Sequence, residues 1–249
     1  MFGAAGRMGA EVCRAVAGAS DLALVAAVDP HGAGEVVQGV TVAPNADAMA
    51  VAGVEVVVDF THAEAARGNL AWCAEQGVHA VVGTTGLTVA DHETLASSFT
   101  RSNVLVAANF AIGAVLMMHM AALAAPWFET AEIIELHHDE KIDAPSGTAM
   151  LTAERMAAAS SDWADDPTTT EVVPGARGSR GPGGIPVHSV RLRGMVAHQE
   201  VLLGTTGQSL SIRHDSYDRT SFMPGVLLAV KEVPKRPGVT VGLDTLLDL

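Results

Sequence analysis

The 249-residue sequence predicts an α/β protein: a Rossmann-like parallel sheet whose first strand is cut short, plus a smaller mixed α+β domain. Three observations predict it. Short β-branched runs alternate with helical patterns through residue 107. Gly3, Gly6 and Gly9, spaced every third residue, open the chain and lead into an apolar helical pattern. After residue 110 the alternation stops, and three late strands of alternating polarity follow a long helix.

The runs "LALVAAVD" (22–29), "VEVVVDF" (54–60), "VHAVVGTTG" (78–86) and "NVLVAA" (103–108) read as strands. Each is nearly continuous in apolar residues, as strands covered on both faces are. Helical patterns such as Ala63–Gln76 and Thr88–Ser98 lie between them, with Asp91 near the start of the second, where a helix dipole favours a carboxylate. Beyond 110, the helix "AIGAVLMMHMAALAA" precedes the strand "TAEIIELHH" (130–138), a loop, and a helix starting near Ser146. The strands "PVHSVRLRG", "VAHQEVLLG" and "QSLSIRHD" come last, and the turns at 193–195 and 204–207 make them read as hairpins. Between these parts, residues 165–186 are rich in Gly and Pro and too long for a simple connector. Arg177 and Arg180 in this loop could steer an anion, although a solvated loop is the simpler reading.

Half the residues are apolar but only 4% aromatic, so Ala, Val and Leu must fill the interior. The formal net charge of −13 argues against nucleic-acid and anionic-membrane partners. Any anionic substrate must therefore be drawn in by a local basic pocket. Two cysteines, Cys13 and Cys73, form no disulfide framework, and a reducing, cytoplasmic location is expected. The first residues carry no basic n-region or long apolar h-region, so no signal peptide is expected. Residues 104–128 lack Asp, Glu, Lys and Arg, but Asn109, Gly113, His119 and Pro126 interrupt them, so a strand feeding a buried helix explains the run better than a membrane span.

The glycine spacing suits a tight turn and the close approach of a pyrophosphate to a helix N-terminus. Asp29 ends the next strand, where an acid would bond an adenosine ribose. A glycine turn serving only helix–strand packing is the alternative; Asp29 and the βαβ pattern favour the dinucleotide. An acid at this position tends toward NADH, while Arg7 in the loop could reach the extra phosphate of NADPH. "GTTG" (83–86) and "AANF" (107–110) end strands that would line the ligand crevice, with small residues leaving room for a nicotinamide.

The densest stretch is "EIIELHHDEKIDAPSGTA" (132–149). Alternation points Glu135 and His137 to one face and Leu136 and His138 to the other. Lys141 follows in the loop, and Ser146-Gly147-Thr148 opens a helix whose free N–H groups form a carboxylate site. Such a set could bind and protonate a small anion. Adjacent histidines are also used structurally, and Ser146 also suffices as a helix cap. A metal site lacks a third ligand, so no metal is expected.

This same stretch resembles the signature of the dihydrodipicolinate reductases, the 4-hydroxy-tetrahydrodipicolinate reductases of bacterial lysine and diaminopimelate synthesis. The similarity runs along nearly the whole chain, through "GAAGRMG", "VVVDFTH", "VVGTTG", "ANFAIGAVLMM", "GIPVHSVRLRGMVAHQEV" and "HDSYDRTSFMPGVLLAV". The surroundings of Asp29 and the "DRTSF" run look most like the actinobacterial branch. The resemblance implies NADH or NADPH as cofactor, held by Gly3, Ala4, Ala5, Gly6, Arg7 and Met8, by Asp29, by Gly83, Thr84 and Thr85, and by Ala107, Ala108, Asn109 and Phe110. It implies that His137 gives and accepts the proton, with Lys141 a second donor, and that His138, Ser146, Gly147 and Thr148 bind a small cyclic imine dicarboxylate. It further implies that residues 1–107 with 219–249 form the dinucleotide-binding domain. Residues 108–218 would form the substrate domain, which assembles a homotetramer through its sheet, and hinge closure would exclude water from the reaction.

Two alternatives share the pattern: another nicotinamide-dependent dehydrogenase, and a non-catalytic NAD sensor. A semialdehyde-type dehydrogenase would need a cysteine nucleophile at a strand end, and none is seen. Relatives carry about five apolar residues before the first glycine, where this chain has Met1 and Phe2. Without them, two neighbouring strands would be left with unpaired edges, so the expectation is a polypeptide beginning several residues upstream.

Overall fold

The computed structural model describes residues 1–249, which divide into two compact units: Met1–Ile112 with Arg219–Leu249, and Gly113–Asp218. In chain order the elements are α1 (Arg7–Gly18), β1 (Ala27–Val28), β2 (Val36–Val37), β3 (Val40–Ala43), α2 (Asp47–Val51), β4 (Val56–Asp59), α3 (Ala63–Gln76), β5 (His79–Val82), α4 (Val89–Ser98) and β6 (Val104–Val106). Then come α5 (Ile112–Ala124), β7 (Thr130–His137), α6 (Gly147–Ala159), β8 (Ser179–Arg180), β9 (Pro186–Arg191), β10 (Ala197–Thr205), β11 (Gln208–Ser216), α7 (Met223–Glu232) and β12 (Val239–Val241).

The first unit is the Rossmann-like half. Its strands run β2-β3-β1 on one side and β4-β5-β6-β12 on the other, and Phe2 joins the two by parallel bridges to Val28 and to Asp59. All pairings are parallel except β2 against β3. The first strand is thus one bridged residue. Phe2 N–H donates to Val58 O at 2.9 Å, Val28 N–H to Met1 O at 2.8 Å, and the Met1 amino group to Ala26 O at 2.9 Å. Below this point Ala23–Val25 and Val54–Val56 line a cleft of about 980 Å3. That gap corrects the expected 22–29 strand: with no neighbour to pair with, residues 22–26 form no ladder, and only Ala27–Val28 remain. The other three runs shorten at their ends in the same way, to 56–59, 79–82 and 104–106. The β2–β3 hairpin went unread.

The core of this unit packs Phe2, Val57, Leu70, Cys73, Val82, Leu95 and Val104, with Trp72 set edge-on to Phe2 at 6.3 Å. Each such buried side chain stabilises the fold by about 1.5–3 kcal/mol. Local signals fix the helix ends. Thr88 and Asp91 form a reciprocal capping box at the start of α4, and Gly77, with φ of 71°, ends α3. Helix α7 packs against α1, β4 and β5, so the chain's last segment lies with its first.

The second unit is the mixed α+β half. Its sheet runs β11-β10-β7-β9-β8, with β7 parallel to β9 and antiparallel to β10. The turn at 204–207 does close a hairpin, pairing Thr205 with Gln208, and Gly207 takes φ of 81°. The turn at 193–195 does not. Strand β7 lies between β9 and β10, so residues 193–195 carry the chain across it. The long apolar β7 needs partners on both edges, and a local β9–β10 hairpin would leave one of them bare. Ile133, Val187, Val201 and Leu203 face a core completed by Ala149, Ala153 and Met156 of α6 and Ala121 of α5. No helix is long and apolar enough to cross a membrane.

Candidate active site

In the first unit the crevice forms where the strands end. Phe2 leads into Gly3, whose φ of 77° turns the chain, and a Cβ on Gly9 would sit 1.9 Å from Gly3 O. Helix α1 can therefore approach the turn only with glycine at position 9. Its N-cap, Gly6, offers no side chain, and the first turn carries no acid. The leading N–H groups of α1 thus keep the positive end of the helix for an anion, a cradle that fits a pyrophosphate. Asp29 is buried at the end of β1. Its carboxylate accepts the Ala5 N–H at 3.1 Å and the His31 N–H at 3.0 Å, so it ties the glycine loop to the next strand.

The other strand ends are tied by Asp59, which has no exposed surface. It accepts hydrogen bonds from Thr61 N–H (2.9 Å), the Thr61 hydroxyl (2.7 Å), the Thr84 hydroxyl (2.8 Å) and the Asn69 amide (2.8 Å). Thr84 is therefore turned inward, while Thr85 and Ala108 are exposed. The Phe60 ring packs so close over Gly83 that any Cβ there would overlap it. Phe110 is buried, its ring 5.6 Å from that of Phe60 and its carbonyl close against Gly225 of α7. Arg7 is exposed on the first turn of α1.

In the second unit the alternation of β7 holds. Ala131, Ile133 and Glu135 are buried, and His137 follows on the same face. Glu135 is fully buried and binds several donors at once. One oxygen lies 2.5 Å from His137 Nδ1, and Ser146 N–H donates to the other at 3.3 Å. Arg191 on β9 binds both oxygens, at 2.9 Å each. The parallel register that pairs His137 with Arg191 brings the guanidinium there. Burial alone pushes the Glu135 carboxyl up, but the hydrogen bonds from His137 and Arg191 outweigh it and hold the group at about 2. Arg191 also donates to Asp143 O at 2.6 Å, fastening the loop between β7 and α6.

That loop places Lys141 Nζ 2.7 Å from Asp143, whose carboxyl is held below its ordinary range by this hydrogen bond. Ser146 is buried and caps α6, its hydroxyl accepting Ala149 N–H at 3.2 Å. Gly147 and Thr148 form the first turn of α6, which has no acidic residue. His138 gives the loop its carbonyl, which accepts Lys141 N–H at 3.2 Å. His137, Lys141, Ser146, Gly147 and Thr148 thus lie on consecutive segments fastened to Glu135 and Arg191. Arg177 is taken up by Glu132 at 2.6 Å and Asp166 at 3.3 Å, away from this face.

Sequence reasoning placed Glu135 on the His137 face without giving it a task, and passed over Arg191, Asp59, Thr61 and Asn69. The signal for Asp59 was present: an acid closing an apolar strand run, the same sign that singled out Asp29. For Arg191 there was none, because its place depends on a register between strands some fifty positions apart.

Comparison with known proteins places this geometry in context. Residues 1–110 match the family model "Dihydrodipicolinate reductase, N-terminus", and residues 113–247 match "Dihydrodipicolinate reductase, C-terminus". The chain is similar to the 4-hydroxy-tetrahydrodipicolinate reductase of Mycobacterium marinum, 51% identical over 253 residues, covering 100% of this chain and 98% of that protein. It is also similar to that of Nocardia farcinica, 51% identical over 256 residues with the same coverage. Among solved structures, a dipicolinate-bound dihydrodipicolinate reductase from Paenisporosarcina sp. TG-14 superposes with a TM-score of 0.87 at 38% identity, over 98% of this chain and 97% of that one. An amine dehydrogenase from Mycobacterium smegmatis, 14% identical with a TM-score of 0.61 over 96% of this chain and 93% of that one, shares the fold.

Proposed function

The chain belongs to the dihydrodipicolinate reductase family, and from that premise we propose that it is an NAD(P)H-dependent oxidoreductase. It reduces 4-hydroxy-tetrahydrodipicolinate to tetrahydrodipicolinate, with loss of water, in lysine and diaminopimelate synthesis. The observation that carries the reading is the grouping of His137, the α6 N-terminus and the Lys141 loop around the Glu135–Arg191 ion pair.

The cofactor is NADH or NADPH. The N–H groups of the glycine loop and α1 receive its pyrophosphate, Asp29 its adenosine ribose, and the backbone at Gly83–Thr85 and Ala107–Phe110 its nicotinamide half. When bound, it supplies a hydride. The substrate is a six-membered ring bearing two carboxylates. Gly147, Thr148 and the start of α6 hold one carboxylate, with Lys141 and His138 beside it. As the ring gains electron density toward its nitrogen, His137 donates the proton that neutralises it, and Lys141 stabilises the developing charge.

The open face of the second sheet supports a homotetramer. Its outward residues, Ile134, Leu136 and Leu202 among them, are only partly covered. The two free, buried thiols, Cys13 and Cys73, support a reducing cytoplasm; burial pushes the Cys73 thiol up to about 12.

The test is a spectrophotometric assay. NADH or NADPH is consumed when the product of dihydrodipicolinate synthase is supplied, and not when it is withheld. Absence of consumption by folded protein removes the reductase reading and favours a nucleotide sensor.

A further inference from the structure

A proton donor works only if the correct ring nitrogen carries the proton and points at the substrate. Glu135 determines both for His137. Its carboxylate is fully buried, and its partners are all donors: His137 Nδ1, two nitrogens of Arg191, Ser146 N–H and the Ser189 hydroxyl. An ionised carboxylate in such a site accepts and never donates, so Nδ1 must carry hydrogen whenever the ring is neutral. The nitrogen left to exchange protons is Nε2.

The same carboxylate reaches the substrate nest. Its second oxygen takes Ser146 N–H, the residue that caps α6, while Arg191 spans from Glu135 to Asp143 O in the Lys141 loop. Proton donor, carboxylate nest and lysine loop are therefore fastened to one ion pair. We propose that Glu135, clamped by Arg191, is the positioning residue of the reaction, keeping His137 protonated at Nδ1 with Nε2 presented to the substrate, in register with the α6 nest. This rests on the reading of His137 as proton donor.

The surroundings leave this arrangement to the pair. Lys141 and Asp143 in the loop bond to each other. From β10, Ala197 pairs with His137 and Gln199 with Glu135, and neither is an ionisable residue. Removing Glu135 should therefore change which ring nitrogen carries hydrogen, which loss of packing alone would not do.

The experiment compares Glu135→Gln, Arg191→Met and His137→Ala with wild type, using kcat, KM and nitrogen-15 NMR of the His137 ring. In Glu135→Gln, kcat falls at least about tenfold with KM little changed, and the neutral ring loses its fixed Nδ1–H tautomer. In Arg191→Met the tautomer is kept. A wild-type kcat or a wild-type tautomer in Glu135→Gln overturns the proposal. Wild-type turnover in His137→Ala removes the proton-donor reading itself. Should Glu135→Gln not fold, the wild-type ring spectrum still decides: a neutral ring protonated at Nε2 overturns the proposal.

Discussion

Asp59 Oδ1 accepts the Thr84 hydroxyl at 2.8 Å, so the threonine that opens the loop after β5 is turned into the protein and away from the crevice. The same hydroxyl accepts Thr61 N–H at 2.9 Å, and the two loops that flank the expected nicotinamide half are locked together by one buried carboxylate. Thr84→Val leaves that buried carboxylate short of a donor and removes one of the two acceptors of Thr61 N–H, the other being Asp59 itself. It should cost about 2 kcal/mol, or roughly 4–8 °C in Tm. Thr85 is exposed, so Thr85→Val should stay within about 0.5 kcal/mol of wild type. Thermal unfolding of the two variants side by side checks this, and equal losses would contradict the inward role of Thr84.

Asp29 has two tasks in this account, holding Ala5 N–H and receiving the ribose. Asp29→Ala should raise the Kd for NADH by about tenfold, the loss of one charged hydrogen bond. Turnover at saturating cofactor should change little. Arg7, exposed at the start of α1, should matter for NADPH alone, so Arg7→Ala weakens NADPH and leaves NADH unchanged. Calorimetric titration of both cofactors into both variants reads each effect.

Much of the architecture was legible because it rests on local signals. The glycine turn, the capping acid Asp91 and the alternation of β7 each read correctly, since each depends on neighbours in sequence. What was not legible depends on distant partners. Residues 22–26 carry a strand pattern but have nothing to pair with. Residues 193–195 carry a hairpin pattern, but β7 takes the intervening place. Arg191 joins His137 only through the β7–β9 register, and Thr84 turns inward only because Asp59 waits beneath it. The candidate site was thus legible in its exposed chemistry and hidden in its buried support.

Glu135 predicts a pH dependence of stability. Its folded value, about 2, lies below its ordinary 4.5. A carboxyl depressed in the folded state contributes stability that is fully present above the ordinary value and is lost as pH falls toward the folded one. Wild type should therefore weaken between pH 4.5 and 2, and Glu135→Gln, less stable at neutral pH, should weaken less over that window. Urea titrations at pH 7, 4.5 and 3 compare the two slopes.

Lys141 lies against Asp143 in the structure, so its task divides into charge pairing with substrate and stabilisation of the reaction itself. Lys141→Ala should raise KM and also lower kcat about tenfold or more. Steady-state kinetics separates the two, and a change confined to KM would remove Lys141 from the chemistry.

The central claim is that His137 donates the proton that accompanies reduction of the cyclic imine. It is tested most directly by kcat for His137→Ala at saturating substrate and cofactor, with binding of both measured separately. The account predicts a fall of about 100-fold or more with cofactor affinity retained. Turnover within a few-fold of wild type would contradict it.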